Sequence, residues 1–374
     1  MHCRSAPDSS ALMRARPSLR PRLAGLAAPA ALGVMIVAAL AGCSSQETGG
    51  TTTSTTNSTR STTTTTTTLP VAVAGTSLFR ARVAPLPRDT LALPVVADGS
   101  PAWQKMVPVA YRSVGSGPDL LLISGQDGTL SWWSQTLLSD LSGHYRVTVF
   151  DLPGVGYSGT VDQLSLSWLA DMTAGFALTV GLSHPMVLGW GLGGQIALSL
   201  AERHPGLASS LILVDTSPGG AGEVLPSAEV TRLLARPDNT PVALSTLLFP
   251  ATPVGLQDRL RWQSSLFVGT TDWLTARAVE QEAALQASIW AHSPLVTGLK
   301  QVAVPVLVVS GAYDEVFPSS NASLITRALK HVKEITFSRA GYGAIVQDEP
   351  SFVAAVDRFA GSTVPSSTTT SSAP

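Results

Sequence analysis

From residue 105 to residue 361, short apolar runs alternate with segments in which apolar residues recur every three or four positions. The runs predict strands that are buried on both faces of a parallel sheet: Asp119–Ser124, Tyr145–Phe150, Met186–Trp190, Ser210–Val214, Val304–Ser310 and Val332–Phe337. The periodic segments predict helices: Trp132–Leu141, Leu164–Gly181, Gln195–Arg203, Ser319–Leu329 and Ser351–Phe359. This alternation predicts an α/β fold with a mostly parallel, doubly wound sheet.

One interval interrupts the alternation. Residues 217–300 hold no run typical of a strand, but they hold amphipathic helical patches such as Ala228–Ala235 and Leu274–Ile289. An insertion of this size after a strand predicts a helical cap over the carboxyl-terminal edge of the sheet. Residues 70–104 are rich in Pro and Val, and we interpret them as an N-terminal extension that packs on the domain.

Low-complexity sequence flanks the body of the chain. From Thr51 to Thr68, 16 of 18 residues are Ser or Thr. Such a composition cannot bury an apolar core and stays solvated. We predict a disordered stalk over residues 43–69 and a disordered tail of the same kind over residues 362–374. Neither segment carries side chains suited to catalysis.

The first 42 residues have the design of a secretory signal. Five Arg and one Asp occur in residues 1–22, and the 20 residues of Leu23–Gly42 carry no charge. The sequence Leu-Ala-Gly-Cys that ends at Cys43 resembles the lipobox of bacterial lipoproteins. The resemblance implies cleavage before Cys43, a diacylglycerol on its thiol, and an extracytoplasmic protein anchored to the cell membrane. An uncleaved signal anchor is the alternative, because 20 apolar residues can span a bilayer, and Met13 is an alternative start.

Removal of this leader changes both the charge and the cysteine content. The chain has 24 basic and 25 acidic residues, a net charge of −1, and the mature chain keeps 19 basic against 24 acidic residues, a net charge of −5. Cys3 leaves with the leader and Cys43 carries lipid, which excludes a disulfide and a catalytic thiol. The body has no basic run, so we expect no nucleic-acid partner. It has no metal-ligand cluster and no phosphate-binding loop, so we expect no metal and no cofactor.

Five motifs occur in the order typical of the α/β-hydrolase superfamily, and residues 105–361 resemble that family. The motifs are the strand end Leu120–Gly125, the Asp-x-x-Gly-x-Gly-x-Ser loop Asp151–Ser158, the nucleophile elbow Gly189–Gly194, the acid loop Gly311–Pro318, and the base segment Gly341–Ala344 followed by Asp-Glu-Pro. The resemblance implies an α/β-hydrolase fold with a helical cap. The 20 Arg against 4 Lys and the stalk are similar to actinobacterial proteins.

The residues at the family's catalytic positions depart from its pattern. Gly191 stands where the elbow carries the nucleophilic Ser, and Tyr342 stands where the family has the catalytic His. Ser124 replaces the His before the oxyanion hole, and only the acid, Asp314, is retained. Gly offers no nucleophile, and a pKa of about 10 makes Tyr a poor base at pH 7. We therefore predict that Gly191 and Tyr342 are inactive.

Two expectations concern groups that remain usable without the triad. The resemblance assigns the oxyanion-hole donors to the backbone N–H groups of Gln126 and Leu192. Asp314 is expected to accept hydrogen bonds from its own loop or from the Tyr342 hydroxyl.

Four other residues are candidates for the lining of a pocket. Ser124 and Ser217 follow predicted strand ends, so their hydroxyls are expected near the pocket. Trp190 precedes the elbow, and core packing explains it about as well as pocket lining does. His292 lies late in the predicted cap, where it faces either the pocket or solvent. None of these residues has a visible partner that would make it a nucleophile or a base.

These observations predict a lipid-anchored, extracytoplasmic protein with an α/β-hydrolase fold and no functional triad. The first interpretation is a non-catalytic protein that binds an apolar small molecule under the cap or docks an envelope partner whose identity stays open. The alternative is a hydrolase or lyase of the same superfamily that acts without the usual Ser-His-Asp triad.

Overall fold

The structure, a computed structural model, describes residues 107–237, 240–265, 274–293 and 295–363, together with the backbone of residues 82–85. Cys43, the predicted leader and the predicted stalk lie outside the described residues, as do most of the extension 70–104 and of the tail. None of the helices in the described part of the chain has the length and apolar character needed to cross a membrane.

Eight strands form one sheet in the described residues. They are β1 (Arg82–Pro85), β2 (Pro108–Val114), β3 (Asp119–Ile123), β4 (Arg146–Phe150), β5 (Met186–Trp190), β6 (Ser210–Val214), β7 (Val306–Gly311) and β8 (Val332–Phe337). The spatial order is β1-β2-β4-β3-β5-β6-β7-β8. β2 pairs antiparallel with β1 and β4, and the remaining neighbours are parallel. The predicted mostly parallel α/β sheet is confirmed.

The burial of each strand explains how well its sequence predicts it. β5 and β6 are buried at every position, and their bounds match the predicted runs. β7 is equally buried but begins at Val306, two residues after the predicted start. β2 is not predicted, because its side chains are only partly buried and its sequence lacks a continuous apolar run. β1 lies within the predicted extension and pairs with β2.

Eleven α-helices occur in the described residues. They are α1 (Gln135–Ser142), α2 (Leu166–Thr179), α3 (Leu192–Arg203), α4 (Ala228–Leu234), α5 (Pro241–Leu248), α6 (Pro253–Ser265), α7 (Ala276–His292), α8 (Leu295–Gly298), α9 (Ala322–Thr326), α10 (Ala344–Gln347) and α11 (Glu349–Thr363). Short 3-10 turns cover Leu130–Trp132, Leu299–Gln301 and Ser319–Asn321.

Local capping sets where several helices begin. The Ser134 side chain accepts a hydrogen bond from the Leu137 N–H, so α1 begins at Gln135 and not at Trp132 as predicted. α3 begins at Leu192, three residues before the predicted start, because Gly191 takes the N-cap position. The predicted helix Ser319–Leu329 is a 3-10 turn followed by the short α9.

Helices cover both faces of the sheet, and the strands alternate between the two resulting cores. Along β3, Leu120 and Leu122 belong to one cluster of buried side chains, while Leu121 and Ile123 belong to the other. Side chains of α1 and α11 contribute to the first cluster, and side chains of α2, α3 and α9 contribute to the second. This two-sided burial is the physical reason for the continuous apolar runs in the sequence.

The interval between β6 and β7 is helical, as predicted for residues 217–300. It contains α4 to α8, and α7 corresponds to the predicted patch Leu274–Ile289. The inner side of α7 is buried at Val279, Glu282 and Gln286. Two polar residues on this buried face are unusual, because polar side chains are mostly exposed.

Candidate active site

The elbow lies between β5 and α3. Gly191 follows the last residue of β5 and has φ 55° and ψ −117°, while Leu192 begins α3. This φ lies in the left-handed region, which costs a side-chain-bearing residue free energy and costs Gly little. The structure therefore has the sharp strand-to-helix turn of a nucleophile elbow, but its central residue carries no side chain.

The Tyr342 hydroxyl fills the space that a nucleophile would need. A Cβ atom placed on Gly191 would overlap the Tyr342 hydroxyl oxygen, and a Cβ placed on Gly125 would lie 2.5 Å from the same oxygen. The hydroxyl thus lies between the elbow and the loop after β3. Burial, and then the nearby carboxyl groups, raise the pKa of Tyr342 well above its ordinary value, so the phenol stays protonated.

Aromatic rings hold Tyr342 in this place. Its ring centroid lies 5.5 Å from that of Trp190 and 5.9 Å from that of Phe317. The Trp190 indole N–H donates to the Tyr342 carbonyl oxygen over 2.8 Å. Trp190 itself is fully buried, with Trp132 and Trp133 at centroid distances of 5.8 Å and 6.0 Å. Trp190 therefore belongs to the packed core, which is one of its two expected roles.

Asp314, at the retained acid position, is bonded within its own loop. Its Oδ1 atom accepts hydrogen bonds from the N–H groups of Val316 and Phe317, at 2.7 Å and 2.9 Å. Its Oδ2 atom has no partner among the described residues. Of the two expected arrangements, the loop bonding is present and the bond from the Tyr342 hydroxyl is not, because that hydroxyl is directed to Gly191. Burial raises the pKa of Asp314 to about 8.

The two predicted oxyanion-hole donors lie in the loop after β3 and at the start of α3. Gln126 is the third residue after β3, and Leu192 is the first residue of α3. Neither backbone N–H has an acceptor among the described residues. The Gln126 side chain donates to the Leu234 carbonyl oxygen at the end of α4, over 3.1 Å, and so ties this loop to the cap. The role of the two N–H groups as oxyanion-hole donors stays a prediction.

The hydroxyls of Ser124 and Ser217, which were expected near the pocket, are both hydrogen-bonded. The Ser124 hydroxyl donates to the Gly128 carbonyl oxygen over 2.8 Å. The Ser217 hydroxyl is hydrogen-bonded to the Glu223 carboxylate. Both side chains are buried, and each one stabilises its own loop. Their place in the lining of a pocket stays a prediction.

No His of the described residues takes over the role of the base. His204 is bonded to Asp171 at 2.8 Å, and His144 is bonded to Asp357 at 2.9 Å. His184 contacts the Gly206 carbonyl oxygen at 2.7 Å. His292 is at the exposed end of α7 and borders a surface cleft. None forms a hydrogen bond or ion pair with Asp314 or Tyr342 within the described part of the chain.

A pair of buried acids joins the elbow region to the cap. Asp127, in the loop after β3, has φ 59°, and its N–H donates to Glu282 Oε2 on α7 over 2.6 Å. Both Asp127 carboxylate oxygens and Glu282 Oε1 lack partners among the described residues. Burial raises the pKa of Asp127 to about 7, and burial followed by the Asp127 charge raises the pKa of Glu282 well above its ordinary value.

Sequence reasoning did not identify this pair. The two residues are 155 positions apart, and neither belongs to a motif of the family. The available signal is the placement of Glu282 in the buried stripe of an amphipathic helix, where a charged residue is rare. Among the described residues, no cluster of three or more His, Cys, Asp or Glu side chains is arranged to hold a metal ion.

Comparisons with known proteins agree with the fold. The profile of the alpha/beta hydrolase fold family matches residues 120–348. A pimeloyl-(acyl-carrier protein) methyl ester esterase of Aeromonas hydrophila is 28% identical over 266 residues, covering 68% of this chain and 99% of that protein.

Solved structures show the same architecture. An alpha/beta hydrolase fold protein from Chitinophaga pinensis superposes with a TM-score of 0.62 at 24% identity, covering 68% of this chain and 94% of that one. The enol-lactonase from Burkholderia xenovorans has a TM-score of 0.57 at 22% identity, covering 68% and 97%. With the sheet order, the elbow and the family match together, this chain belongs to the α/β-hydrolase fold family.

Proposed function

We propose that this protein is a non-catalytic member of the family, anchored by lipid outside the cytoplasm, that acts by binding an apolar ligand or an envelope partner. The observation that carries the proposal is the Tyr342 hydroxyl in the place of the nucleophile side chain. A missing Ser alone would leave an open site. Here the Tyr342 side chain, at the base position, fills the space beside Gly191.

The electrostatics of the site support the same proposal. A triad base must accept a proton from the nucleophile near pH 7, whereas Tyr342 has a pKa raised above its ordinary value. Asp314, with a pKa of about 8, is largely protonated at pH 7 and lacks the charge that would stabilise an imidazolium. The group at the base position and the group at the acid position are both in the wrong protonation state for triad chemistry.

The lipid anchor rests on the leader and the Cys43 motif, and the stalk of residues 43–69 gives the body distance from the membrane. An extended chain gains at most about 3.3–3.6 Å per residue. The stalk therefore lets the body reach ligands or partners well beyond the lipid headgroups.

A hydrolase or lyase that works without the triad is the second candidate. The free N–H groups of Gln126 and Leu192 favour it, because backbone donors of this kind can stabilise a developing oxyanion. The 28% identity to an esterase of Aeromonas hydrophila also favours it. Such an enzyme would turn over an ester without forming an acyl-serine.

Incubation with a fluorophosphonate probe and with short acyl esters tests the proposal. We expect neither labelling nor turnover by the wild-type protein. Labelling of the wild type would overturn the proposal, and turnover without labelling would favour the second candidate. The double variant Gly191→Ser with Tyr342→His is expected to gain labelling, since an imidazole at position 342 can donate to the free Asp314 Oδ2 atom.

Two variants serve as matched controls. Gly191→Ser alone retains Tyr342 and its overlap with the new side chain, so it is expected to stay unlabelled. Gly191→Ser with Tyr342→Phe removes the hydroxyl but keeps the ring, whose Cζ lies 2.9 Å from a Cβ at position 191, and it supplies no base, so it is also expected to stay unlabelled. Gain of labelling in the His variant alone would show that the two positions account for the inactivity.

A further inference from the structure

A cleft of about 680 Å³ lies away from the elbow, between the cap and the core. One wall is cap helix α7, and the other is formed by α3 and by the loop that leads into α2. A volume of this size accommodates a small organic ligand. Neither the triad positions nor any motif of the family contributes to it.

The floor of the cleft is aliphatic. Leu166, Leu285 and Ile289 line it and are buried. No Phe, Tyr or Trp side chain is among the residues that line this cleft. An alkyl chain fits such a surface, because burial of its CH₂ groups is favourable without any directional contact. Flat rings and sugars, which stack on aromatic side chains, find no such partner there.

Two polar side chains of α3, Ser199 and Glu202, line the same cleft. Ser199 is 5% exposed, and its hydroxyl has no hydrogen-bond partner among the described residues. Glu202 lies three positions later, so both side chains lie on one face of the helix. The Glu202 carboxylate packs against Gly298 of α8, forms neither a hydrogen bond nor an ion pair in the described part of the chain, and has a pKa that burial raises from the ordinary value. Together the two side chains offer hydrogen-bond acceptors to a ligand.

The charge of the neighbouring Arg203 lowers the pKa of Glu202, but the two side chains form no ion pair. The Arg203 guanidinium is bonded to Asp171 through Nε and Nη2, at 2.8 Å and 2.6 Å. Asp162 adds a second carboxylate at the rim, where it meets Arg277 at 3.4 Å. The lining thus favours a cationic group and disfavours an anionic one. A primary ammonium has three donors for the Glu202 carboxylate and the Ser199 hydroxyl.

We propose that this cleft binds a primary aliphatic amine, with the ammonium group on Glu202 and Ser199 and the alkyl chain on Leu166, Leu285 and Ile289. The proposal deepens the binding role given above, since it assigns a ligand class and moves the ligand from the closed elbow to the outer side of α7. The occupied elbow explains why the ligand is not held over Gly191.

Calorimetric titration of the whole protein with three probes of equal chain length tests this inference: n-octylamine, 1-octanol and octanoate. Octylamine is expected to bind more tightly than octanol, and octanoate is expected to bind least. Glu202→Gln is expected to weaken octylamine binding roughly tenfold or more, the range for a lost hydrogen bond to a charged group, and to leave octanol binding unchanged. Ser199→Ala is expected to weaken octylamine binding by a smaller factor.

Two alanines of α7 give a matched pair of variants. Ala284 lines the cleft and is exposed, while Ala287 is exposed and does not line it. Ala284→Trp is expected to block octylamine binding, and Ala287→Trp is expected to retain it, with equal melting temperatures for both variants. Absence of octylamine binding to the wild type, tighter binding of octanoate than of octylamine, or retained binding in Ala284→Trp would each overturn the proposal.

The amine titration and the fluorophosphonate probe test the cleft and the elbow independently. Octylamine has no bond for a hydrolase to cleave, and the fluorophosphonate probe reports only on a nucleophile. Failure of amine binding would therefore leave the non-catalytic elbow in place, and labelling at the elbow would leave the cleft result in place.

Discussion

At the residue scale, Gly191 and Tyr342 stand where the family has Ser and His, and the two residues are coupled by their steric fit. The hydroxyl of Tyr342 occupies the volume that opens when position 191 has no Cβ. Protein interiors are close-packed, so a void at the elbow would cost stability. The phenol restores the packing and adds ring contacts with Trp190 and Phe317.

A double-mutant cycle on these two residues measures the coupling. Gly191→Ala is expected to destabilise the protein by roughly 2–4 kcal/mol, because it adds left-handed strain and overlap with the Tyr342 hydroxyl. Tyr342→Phe alone is expected to cost less than about 1.5 kcal/mol. In the Tyr342→Phe background, Gly191→Ala should lose the overlap with the hydroxyl and keep the strain and a close contact with the ring Cζ atom, so its cost should be smaller, which urea unfolding will detect. Additive effects of the two substitutions would contradict this account.

At the element scale, α7 is the helix that connects the cap to the elbow and to the cleft. Its buried face meets the loop after β3 through Glu282, and its outer face borders the cleft at Ala284. The Gln126 side chain adds a bond from the same loop to the end of α4. These polar contacts thus connect the cap to the loop after β3, which contains Gln126 and Asp127.

The buried acids predict a pH dependence of stability. The folded-state pKa of Asp127 is about 7, and that of Glu282 is also raised, while the unfolded value for Asp is about 3.9. The folded state therefore binds more protons between these values, so the contribution of these two acids to stability is greatest below the unfolded pKa and falls as the pH rises through about 7. Asp314, with a pKa of about 8, contributes in the same direction.

Glu282→Gln is expected to reduce this pH dependence and to stabilise the protein at pH 8 by roughly 1–3 kcal/mol. The substitution removes a buried charge, and the amide oxygen still accepts a hydrogen bond from the Asp127 N–H. Urea unfolding at pH 5 and at pH 8 is the measurement. Glu280→Gln, on the exposed face of the same helix, is the matched control and should change little. Equal slopes against pH in the wild type and in Glu282→Gln would refute the role of the pair.

The more completely a strand is buried, the better its sequence pattern predicts where the strand begins and ends. The continuous apolar runs of β5 and β6 give their bounds, and the half-buried β2 has no such run. The presence of Gly in place of Ser at position 191 can be read from the elbow motif alone. The position of the Tyr342 hydroxyl and the Asp127–Glu282 contact depend on side-chain packing between distant segments, so no local pattern predicts them.

At the scale of the whole molecule, we predict a leader and a Ser/Thr-rich stalk in the residues that precede the described core. In the predicted mature protein the net charge is −5. Near an anionic membrane surface, such a charge would repel the body from the lipid. A stalk and a charge of this kind would both favour separation of the body from the membrane.

Replacement of the two cysteines tests the anchor. Cys43→Ser is expected to retain the leader, because the lipobox lacks the thiol that is acylated before cleavage. Cys3→Ser, within the leader, is expected to give a mature protein identical to the wild type. Mass spectrometry of the N-terminal peptide distinguishes a chain that starts at an acylated residue 43 from an unprocessed one. A wild-type chain that keeps its leader would show an uncleaved signal anchor instead.

The contact between Tyr342 and the elbow also has an evolutionary consequence. Regaining a Ser at position 191 is opposed by the phenol, and regaining a His at position 342 confers no activity while position 191 is Gly. Each single step back is either unfavourable for folding or without benefit to selection. Restoration of a triad at these two positions therefore requires both substitutions together.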